Sequence, residues 1–517
     1  MNAHHVSRLR PWQSRLPTTA WWLVIFPAVL LIYVSLRTNN YYWDGIAYAY
    51  DIEHADSRPL LHQNHLLYGP LGYILWRAVR LVFADVRALT VLQVFSAFCG
   101  AAAVAIFCRA LLALFHNAYL AVCLALALSF SATWWKFSTD ANSYIPSALL
   151  MLTGVLLTTS RRARPVWLGS THAAAMLVHQ LAVFFTPFIM LGIWYQQSRH
   201  GHRRQVRGVV QYAATAATLT VLTYYAAFVY EFHQYKLSGL LRWVTSYSQD
   251  AAFSLNIGKN VVTSLIGHVR LFLGGRLPLV LAVWNPFIAF TAAAFVALAS
   301  LFVLRIRREP RLTLSNQYRP IAWLALVWIG TYSSFLLFWS PHNTFYRIFY
   351  TPGLLLLAGA LMAGTHQRQY GLAIAVAMLF FWNLGFDIYP YSKPELNRTL
   401  AIAQALQKVW PSRAVVYWDV YAADNRTVQY FNPNLEWKPL WGRAWVGDLQ
   451  ETMERTYAKK QTLWFDLNAL RSFRQKDPEF NSWLTTNCRT GVEHEFVNGD
   501  HKIGFVQLMP IVAVTSQ

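Results

Sequence analysis

A chain that lays down run after run of apolar residues, each close to the length that crosses a bilayer, has few folds open to it. The hydrocarbon core holds no water, so backbone N–H and C=O groups must pair within the segment, and the α-helix does this. Such runs fall at 18–36, 87–108, 118–133, 144–160, 165–178, 181–196, 208–230, 278–304, 320–339, 349–364 and 370–387. The expected fold class is a polytopic α-helical membrane protein of about eleven spans. Composition agrees: 56% of the 517 residues are hydrophobic and 13% charged, too apolar for disorder or for an ordinary soluble enzyme.

Charge orients the spans. A net charge of +21 fits nucleic acid in principle, but the arginines gather in short loops at 161–164, 199–207 and 305–311 instead of forming one groove. Alternating the spans places all three loops on one side, which the positive-inside rule makes cytoplasmic, and no nucleic-acid partner is expected. The basic stretch 1–15 precedes the first run and no small-residue cleavage site follows it, so it reads as an uncleaved span with a cytoplasmic N-terminus. Segment 65–83 carries Gly69, Pro70, Gly72, Arg77 and Arg80 and reads as a helix lying along the outer surface, the alternative being a true span that would flip the side of everything after it. Loop 231–277 falls outside and is long enough for helices of its own. The four cysteines, Cys99, Cys108, Cys123 and Cys488, are too scattered for a disulfide framework.

Beyond Tyr389 no run is long enough to span, and Asp, Glu, Lys and Asn return. AVVYWDV and TLWFDL read as strands, EHEFVNGDHKIGFVQLM as a hairpin turning at 498–500, and NRTLAIAQALQKVW as a helix. The expected organisation is a membrane domain at 1–388 and a small extracytoplasmic α/β domain at 389–517.

Acids are scarce and unevenly spread. None precedes Asp44, and between Asp56 and Glu231 only Asp85 and Asp140 occur, yet Asp44, Asp51, Glu53 and Asp56 fall within thirteen residues just past the first span. A carboxylate at a membrane exit among Tyr41, Tyr42 and Trp43 suits a general base for a hydroxyl, or equally an N-cap for the helix it precedes. If that stretch is helical, Asp44, Tyr48 and Asp51 share a face. Asp51 and Glu53 form an acid-x-acid pair able to hold a divalent cation such as Mg or Mn, or to sit on a solvated face. His62 and His65, three apart with Asn64 between them, fit contacts to a substrate phosphate or hydroxyl, and interfacial polar contacts as well. Lys136 and Asp140 stand at the outer end of the third span, where ionisable groups are costly; a loop salt bridge between them is the plainer reading. His179 marks an outer bend, as a substrate contact or an interhelical donor. Arg347, with His342 and Tyr346 beside it, lies at an outer interface where positive-inside bias does not favour arginine. A guanidinium there suits a lipid phosphate, since it is always charged and binds two oxygens at once. No Walker A loop, H-E-x-x-H or G-x-S-x-G occurs.

With Asp44 in WDGIAYAY, the element HQNHLLYGPLGY at 62–73, Asp140 after the third span and a late outer Arg347, the chain resembles the membrane glycosyltransferases of the GT-C fold. Within them it is most similar to the protein O-mannosyltransferase and aminoarabinose transferase group. It departs from that group in having Asp44-Gly45 where an Asp-Glu pair is common, and in lacking a Pro-Pro pair. The resemblance implies inverting transfer of a sugar from a polyprenyl-phosphate donor to a glycan, lipid or protein hydroxyl on the outer face of a plasma membrane such as the bacterial inner membrane. It implies Asp44 as the base, Asp140 as a second catalytic carboxylate, and Arg347, with Lys136 and His65, around the donor phosphate. Read from their places in the chain, His342 is expected at the donor phosphate as well, and Tyr48, His62, Asn64, His179 and Tyr346 against substrate. Two other classes use similar parts: an O-antigen ligase or polymerase centred on loop 231–277 with Arg242, His268, Arg270 and Arg276, and a transporter or flippase of lipid-linked or anionic substrates. The transporter would want charges at mid-span and broken helices at a repeat interface, whereas the charges fall mostly at span ends and no internal repeat is seen.

Overall fold

Caps, prolines and glycines decide where the apolar runs break. The structure, a computed structural model, describes residues 20–160, 164–198, 202–249, 253–306, 314–364, 366–410, 413–418, 422–440, 444–498 and 501–511. The chain divides into two compact units, one of residues 1–38 and 51–392, the other of 39–50 and 393–517. The basic N-terminal stretch, Arg161 and Arg162, residues 199–201 and 307–311 of the basic loops, and the hairpin turn at Gly499-Asp500 lie outside the described residues.

The first unit is helical. Its order is α1 (Trp21–Ser35), α2 (Trp43–Glu53, whose first turns belong to the second unit), α3 (Tyr68–Arg80), α4 (Ala88–Phe115), α5 (Ala118–Phe130), α6 (Ala132–Ser138), α7 (Tyr144–Thr159), α8 (Pro165–Val178) and α9 (Thr186–Gln197). There follow α10 (His202–Phe232), α11 (Leu237–Gln249), α12 (Ile257–Phe272), α13 (Leu277–Ala282), α14 (Pro286–Ile306), α15 (Arg319–Phe338), α16 (Thr351–Met362) and α17 (His366–Asn383). Among the described residues five helices are long and apolar enough to cross a membrane, and a sixth if α5 and α6 form one bent span. The chain is thus an integral membrane protein. The remaining expected spans fall on α1, α7, α8, α9 and α16, of 15, 16, 14, 12 and 12 residues. These are shorter than the roughly 20 residues that cross alone, so a count of eleven needs their flanks.

Small residues let the buried helix α4 approach α1 and α7: Ala97, Gly100, Ala101, Ala103 and Ala105 are buried along it. At Ser131 the backbone turns extended, and α6 leaves α5 at 68°. Asn142 then caps α7 by accepting from the Ile145 N–H at 3.0 Å, which closes the polar link between the two helices. Within the stretch 65–83 the chain forms α3, which buries Tyr68, Gly69, Gly72 and Trp76 and exposes Ile74. Gly69 is required there, because the Leu60 carbonyl occupies the place of a Cβ. Loop 231–277 carries α11 and α12, and a short π-helical turn, Leu384–Ile388, follows α17.

The second unit carries a five-stranded sheet in the order β2-β1-β3-β5-β4, with β1 (Ala414–Trp418), β2 (Leu435–Pro439), β3 (Thr462–Asp466), β4 (Cys488–Asn498) and β5 (His501–Pro510). β1 runs parallel to β2 and β3, while β5 is antiparallel to β3 and β4. Alternation along β1 sends Val415 and Tyr417 into one core, with Leu449, Met453 and Phe465, and Ala414, Val416 and Trp418 into the other, with Leu406, Val428 and Phe505. Both faces are covered, as a parallel pair requires. All four cysteines are free and buried.

Candidate functional site

The best-built polar site of the first unit centres on Arg347. Phe253 pairs with Trp339, and the Ser254 N–H donates to the Phe338 carbonyl at 3.0 Å, tying the start of α12 to the end of α15. Asn256 caps α12 by accepting from the Lys259 N–H at 3.1 Å, and Asn260 Nδ2 donates to the Ser254 carbonyl at 2.7 Å. After α15 the chain passes Ser340 in the left-handed region (φ 53°) and enters a 3-10 turn, Phe345–Phe349, which lays Arg347 against α12.

Arg347 is completely buried. Its Nη2 donates to Ser264 Oγ at 3.1 Å and to the Pro341 carbonyl at 2.7 Å, and its Nη1 to the Tyr350 hydroxyl at 2.5 Å. Because the Tyr350 oxygen accepts from Arg347, its O–H points at His268 Nε2, 2.9 Å away. His268 then carries its proton on Nδ1 and donates it to the Ser264 carbonyl at 2.8 Å. Ser264, Gly267 and His268 occupy one face of α12 at i, i+3 and i+4. A Cβ on Gly267 would stand 2.9 Å from Arg347 Nε, so glycine makes room for the guanidinium. Burial pushes His268 below its ordinary value, with the Arg347 charge adding to the drop. Arg347 Nε has no hydrogen-bond partner, and among the described residues no carboxylate lies within ion-pair distance of the guanidinium. A buried cation held, among the described residues, by neutral groups alone is costly.

On the other side of the same turn stands a wall of rings. Tyr346 stacks on Trp339 at 4.6 Å between centroids and meets Tyr144 at 5.9 Å, and Tyr144 meets Phe345 at 5.4 Å and His179 at 4.7 Å. His179 lies 4.6 Å from His65, which lies 5.4 Å from exposed His62. Two backbone bonds, Leu67 N–H to the Leu177 carbonyl and Gln180 N–H to the Asn64 carbonyl, each 3.0 Å, stitch this histidine loop to the bend after α8. His65 Nδ1 sits 3.0 Å from Ser143 Oγ. His179 Nδ1 accepts from the Leu181 N–H at 3.2 Å, so the ring's proton is on Nε2, a buried donor with no partner. Burial pushes His179 down to about 3 and His65 well below its usual range, with neighbouring imidazoles adding to both.

The structure thus brings His62, His65, His179 and Tyr346 into one wall and sets Arg347 on the turn beside it. Asn64 contributes through its backbone. Asp140 is buried in the link between α6 and α7, where its Oδ1 accepts from the Ala141 N–H at 2.8 Å, and its charge acts on Tyr68. Lys136 is elsewhere: its Nζ lies 4.6 Å from the centre of the Tyr391 ring, with no ion pair to Asp140. His342 is exposed in the turn after Ser340. Glu53 is used as a brace: both its oxygens take the Arg87 guanidinium, at 2.9 to 3.0 Å, and Oε1 also accepts from the Ala88 N–H at 2.7 Å. Asp51 lies 3.6 Å from Arg58. Among the described residues no three His, Cys, Asp or Glu side chains gather as a metal ion needs. Asp44 and Tyr48 fall in the second unit, both partly buried, with Asp44 in the first turn of α2.

Sequence reasoning missed Asp387. It is buried in the π-helical turn, accepts from the Gly275 N–H, and has Lys136 and Arg276 as electrostatic partners. Gly274 has no room for a Cβ because the Asp387 carboxylate occupies it. The signal was an acid inside an apolar run, FFWNLGFDIY. The sequence also gave no reason to join His268 and Tyr350 to Arg347.

A helical membrane unit with polar loops gathered around a buried arginine, and a small α/β unit after it, is the architecture of the GT-C fold. Two solved structures share it, both of ArnT, an aminoarabinose transferase from Cupriavidus metallidurans. One, bound to undecaprenyl phosphate, is 13% identical with a TM-score of 0.55, and the other, in the apo state, is 12% identical with a TM-score of 0.56. Each match covers 94% of this chain and 98% of the other. No family model matches the sequence, and no curated protein does.

Proposed function

We propose that the protein is a membrane glycosyltransferase that moves a sugar from a polyprenyl-phosphate donor to an acceptor hydroxyl on the outer face of the membrane, with inversion. The observation that carries this reading is Arg347: a buried guanidinium with an unpartnered Nε–H and, among the described residues, no carboxylate within ion-pair distance, on a chain whose fold matches that of an ArnT bound to undecaprenyl phosphate. In this reading the guanidinium receives the lipid phosphate. The acceptor oxygen attacks the anomeric carbon from the face opposite the phosphate, and the hydroxyl proton passes to Asp44. The bond from the anomeric carbon to the phosphate oxygen breaks, and its electron pair leaves on the phosphate, which gains one negative charge. A fixed cation aimed at that charge stabilises the transition state more than the ground state. Asp44 takes the base role from its place one short loop past α1, and Asp140 supports the site from the α6–α7 link. Eleven spans, a cytoplasmic N-terminus and an extracytoplasmic C-terminal unit belong to the same reading, on the one-sidedness of the arginine loops. Loop 231–277, where a ligase would centre its chemistry, supplies Ser264, Gly267 and His268 to the Arg347 cradle and so serves the same donor phosphate.

The test is transfer from a labelled polyprenyl-phosphate sugar by the purified protein in lipid nanodiscs. Wild type releases lipid phosphate, and Asp44→Asn lowers turnover by about a hundredfold or more while still binding donor, the range for loss of a general base. Turnover equal to wild type in Asp44→Asn removes that residue from the mechanism.

A further inference from the structure

We infer that α12 is a membrane-docking helix: it lies along one surface of the bilayer, its outward apolar stripe among acyl chains and its basic edge, Lys259 and Arg270, on anionic phospholipid headgroups. This goes beyond the proposed function and stands without it, on the helix and its anchors. α12 has 16 residues, about 24 Å, too short to cross a bilayer alone. Each of its ends is fixed to the later part of a crossing helix. The Ser254 N–H donates to the Phe338 carbonyl, where α15 ends. At the other end, Trp382 Nε1 donates to the Gly274 carbonyl at 2.9 Å. Asn383 accepts from the Gly274 N–H at 3.0 Å and donates through Nδ2 to the Phe272 carbonyl at 2.7 Å. Between these two crossing helices α16 returns antiparallel to α15: Gly353 abuts Trp328, and Gly364, beyond α16, abuts Ser315, just before α15. α17 therefore starts at the level where α15 starts, and their C-terminal ends lie on one side of the membrane. Asn383 stands about 12 Å before the end of its span at Tyr391, half the length of α12, so α12 lies nearer the membrane plane than the membrane normal.

Helical spacing sorts α12 into distinct edges. Asn260, Ser264, Gly267 and Leu271, at i, i+4, i+7 and i+11, face the protein, and Arg347 packs there. Val262, Ile266, Val269 and Leu273 repeat that spacing on the opposite side, with Leu265 beside them, and these five are 37 to 62% exposed. Such a stripe is unfavourable in water and favourable among acyl chains, and the crossing helices that hold α12 already require a bilayer. Lys259 and Arg270, three turns apart, share one border of the stripe. Both are exposed and, among the described residues, neither is in an ion pair. No acid occurs in the sequence between Asp250 and Glu309, so no neighbour along the chain offsets them. An apolar stripe with a basic border matches the step from acyl chains to lipid phosphates, where each Lys or Arg draws anionic headgroups. Arg347, bonded to Ser264 on the inner side of the same helix, then lies near headgroup depth.

The experiment attaches a bimane fluorophore to Leu265→Cys, Thr263→Cys or Lys459→Cys of the full chain in nanodiscs and reads its quenching; the four native cysteines are buried. Thr263 stands between Lys259 and Arg270 on the helix, and Lys459 is exposed on the second unit. A nitroxide on the lipid acyl chain is expected to quench the Leu265 label, and aqueous iodide to quench it far less than the Lys459 label. Phosphatidylglycerol with a headgroup nitroxide is expected to quench the Thr263 label at about fivefold lower mole fraction than phosphatidylcholine labelled in the same way, the pull of one basic residue at a lipid surface. Lys259→Gln combined with Arg270→Gln is expected to remove that difference. Iodide quenching at Leu265 equal to that at Lys459 shows a helix facing water and overturns the inference. Protection of Leu265 from iodide and acyl-chain nitroxide alike shows cover by a second copy or another protein and overturns it as well. Equal quenching by the two headgroups, or a preference that survives the double substitution, removes the anionic-lipid contact and with it the inference.

Discussion

At the scale of single residues, the site depends on geometry more than on charge count. Arg347 is held by Ser264, Pro341 and Tyr350, and only a planar fork reaches all three while leaving Nε open. Arg347→Lys keeps the charge and loses the fork; lipid-phosphate affinity is expected to fall by about tenfold to a hundredfold, measured by binding to nanodiscs. Gly267→Ala is expected to have a similar effect from the opposite side. Its new Cβ meets Nε, Nη2 and Cζ at 2.9 to 3.2 Å, and a buried guanidinium bonded at both ends cannot move aside cheaply. Wild-type affinity in that variant shows that the guanidinium is free to shift. Sequence reading singled out Arg347 because an arginine expected on the outer side breaks the charge bias. It did not reveal Gly267, His268 or Tyr350, because their roles arise from α12 packing beside a turn roughly eighty residues away, a pairing no local pattern encodes.

At the scale of elements, helix positions were largely legible, because turn chemistry and apolar periodicity agree through most of the chain. The expected runs at 87–108, 165–178, 208–230 and 320–339 correspond to α4, α8, α10 and α15. The bend at Ser131 was not legible, since it continues an apolar run without a glycine or proline at the break, and the π-helical turn, which contains Gly385, was read as the end of the run 370–387. In the second unit β2 was missed: LEWKP has no alternation strong enough to mark an edge strand. The histidine loop and the bend after α8 form an element pair whose stability depends on pH. His65 and His179 titrate lower in the folded chain than in the unfolded one, so below about pH 6.5 the unfolded chain binds more protons. Their contribution is complete above that pH and is lost as pH falls toward the folded values. The thermal midpoint is expected to drop between pH 7 and pH 4 in detergent, and to drop less in His179→Gln. Identical pH dependence in the two proteins contradicts the assignment. The α12 cap is a second test at this scale: Asn256→Ala is expected to cost about 1 kcal/mol of stability and to weaken lipid-phosphate binding through the displaced Ser264 and His268.

At the scale of the whole molecule, a helical membrane unit carries the rings and the arginine, a second unit carries a mixed sheet, and α2 is divided between them. The division was not legible, since residues 39–50 lie far in sequence from the domain they join. The central claim is that this chain holds a lipid phosphate on a buried, carboxylate-free arginine. The most direct measurement is equilibrium binding of polyprenyl phosphate to the full-length protein in nanodiscs, wild type against Arg347→Ala, at two salt concentrations. Saturable binding that is lost by a hundredfold or more in the variant and barely weakened by salt is the result expected of a buried charge pair. Binding of equal strength in both proteins, or none in wild type, contradicts it.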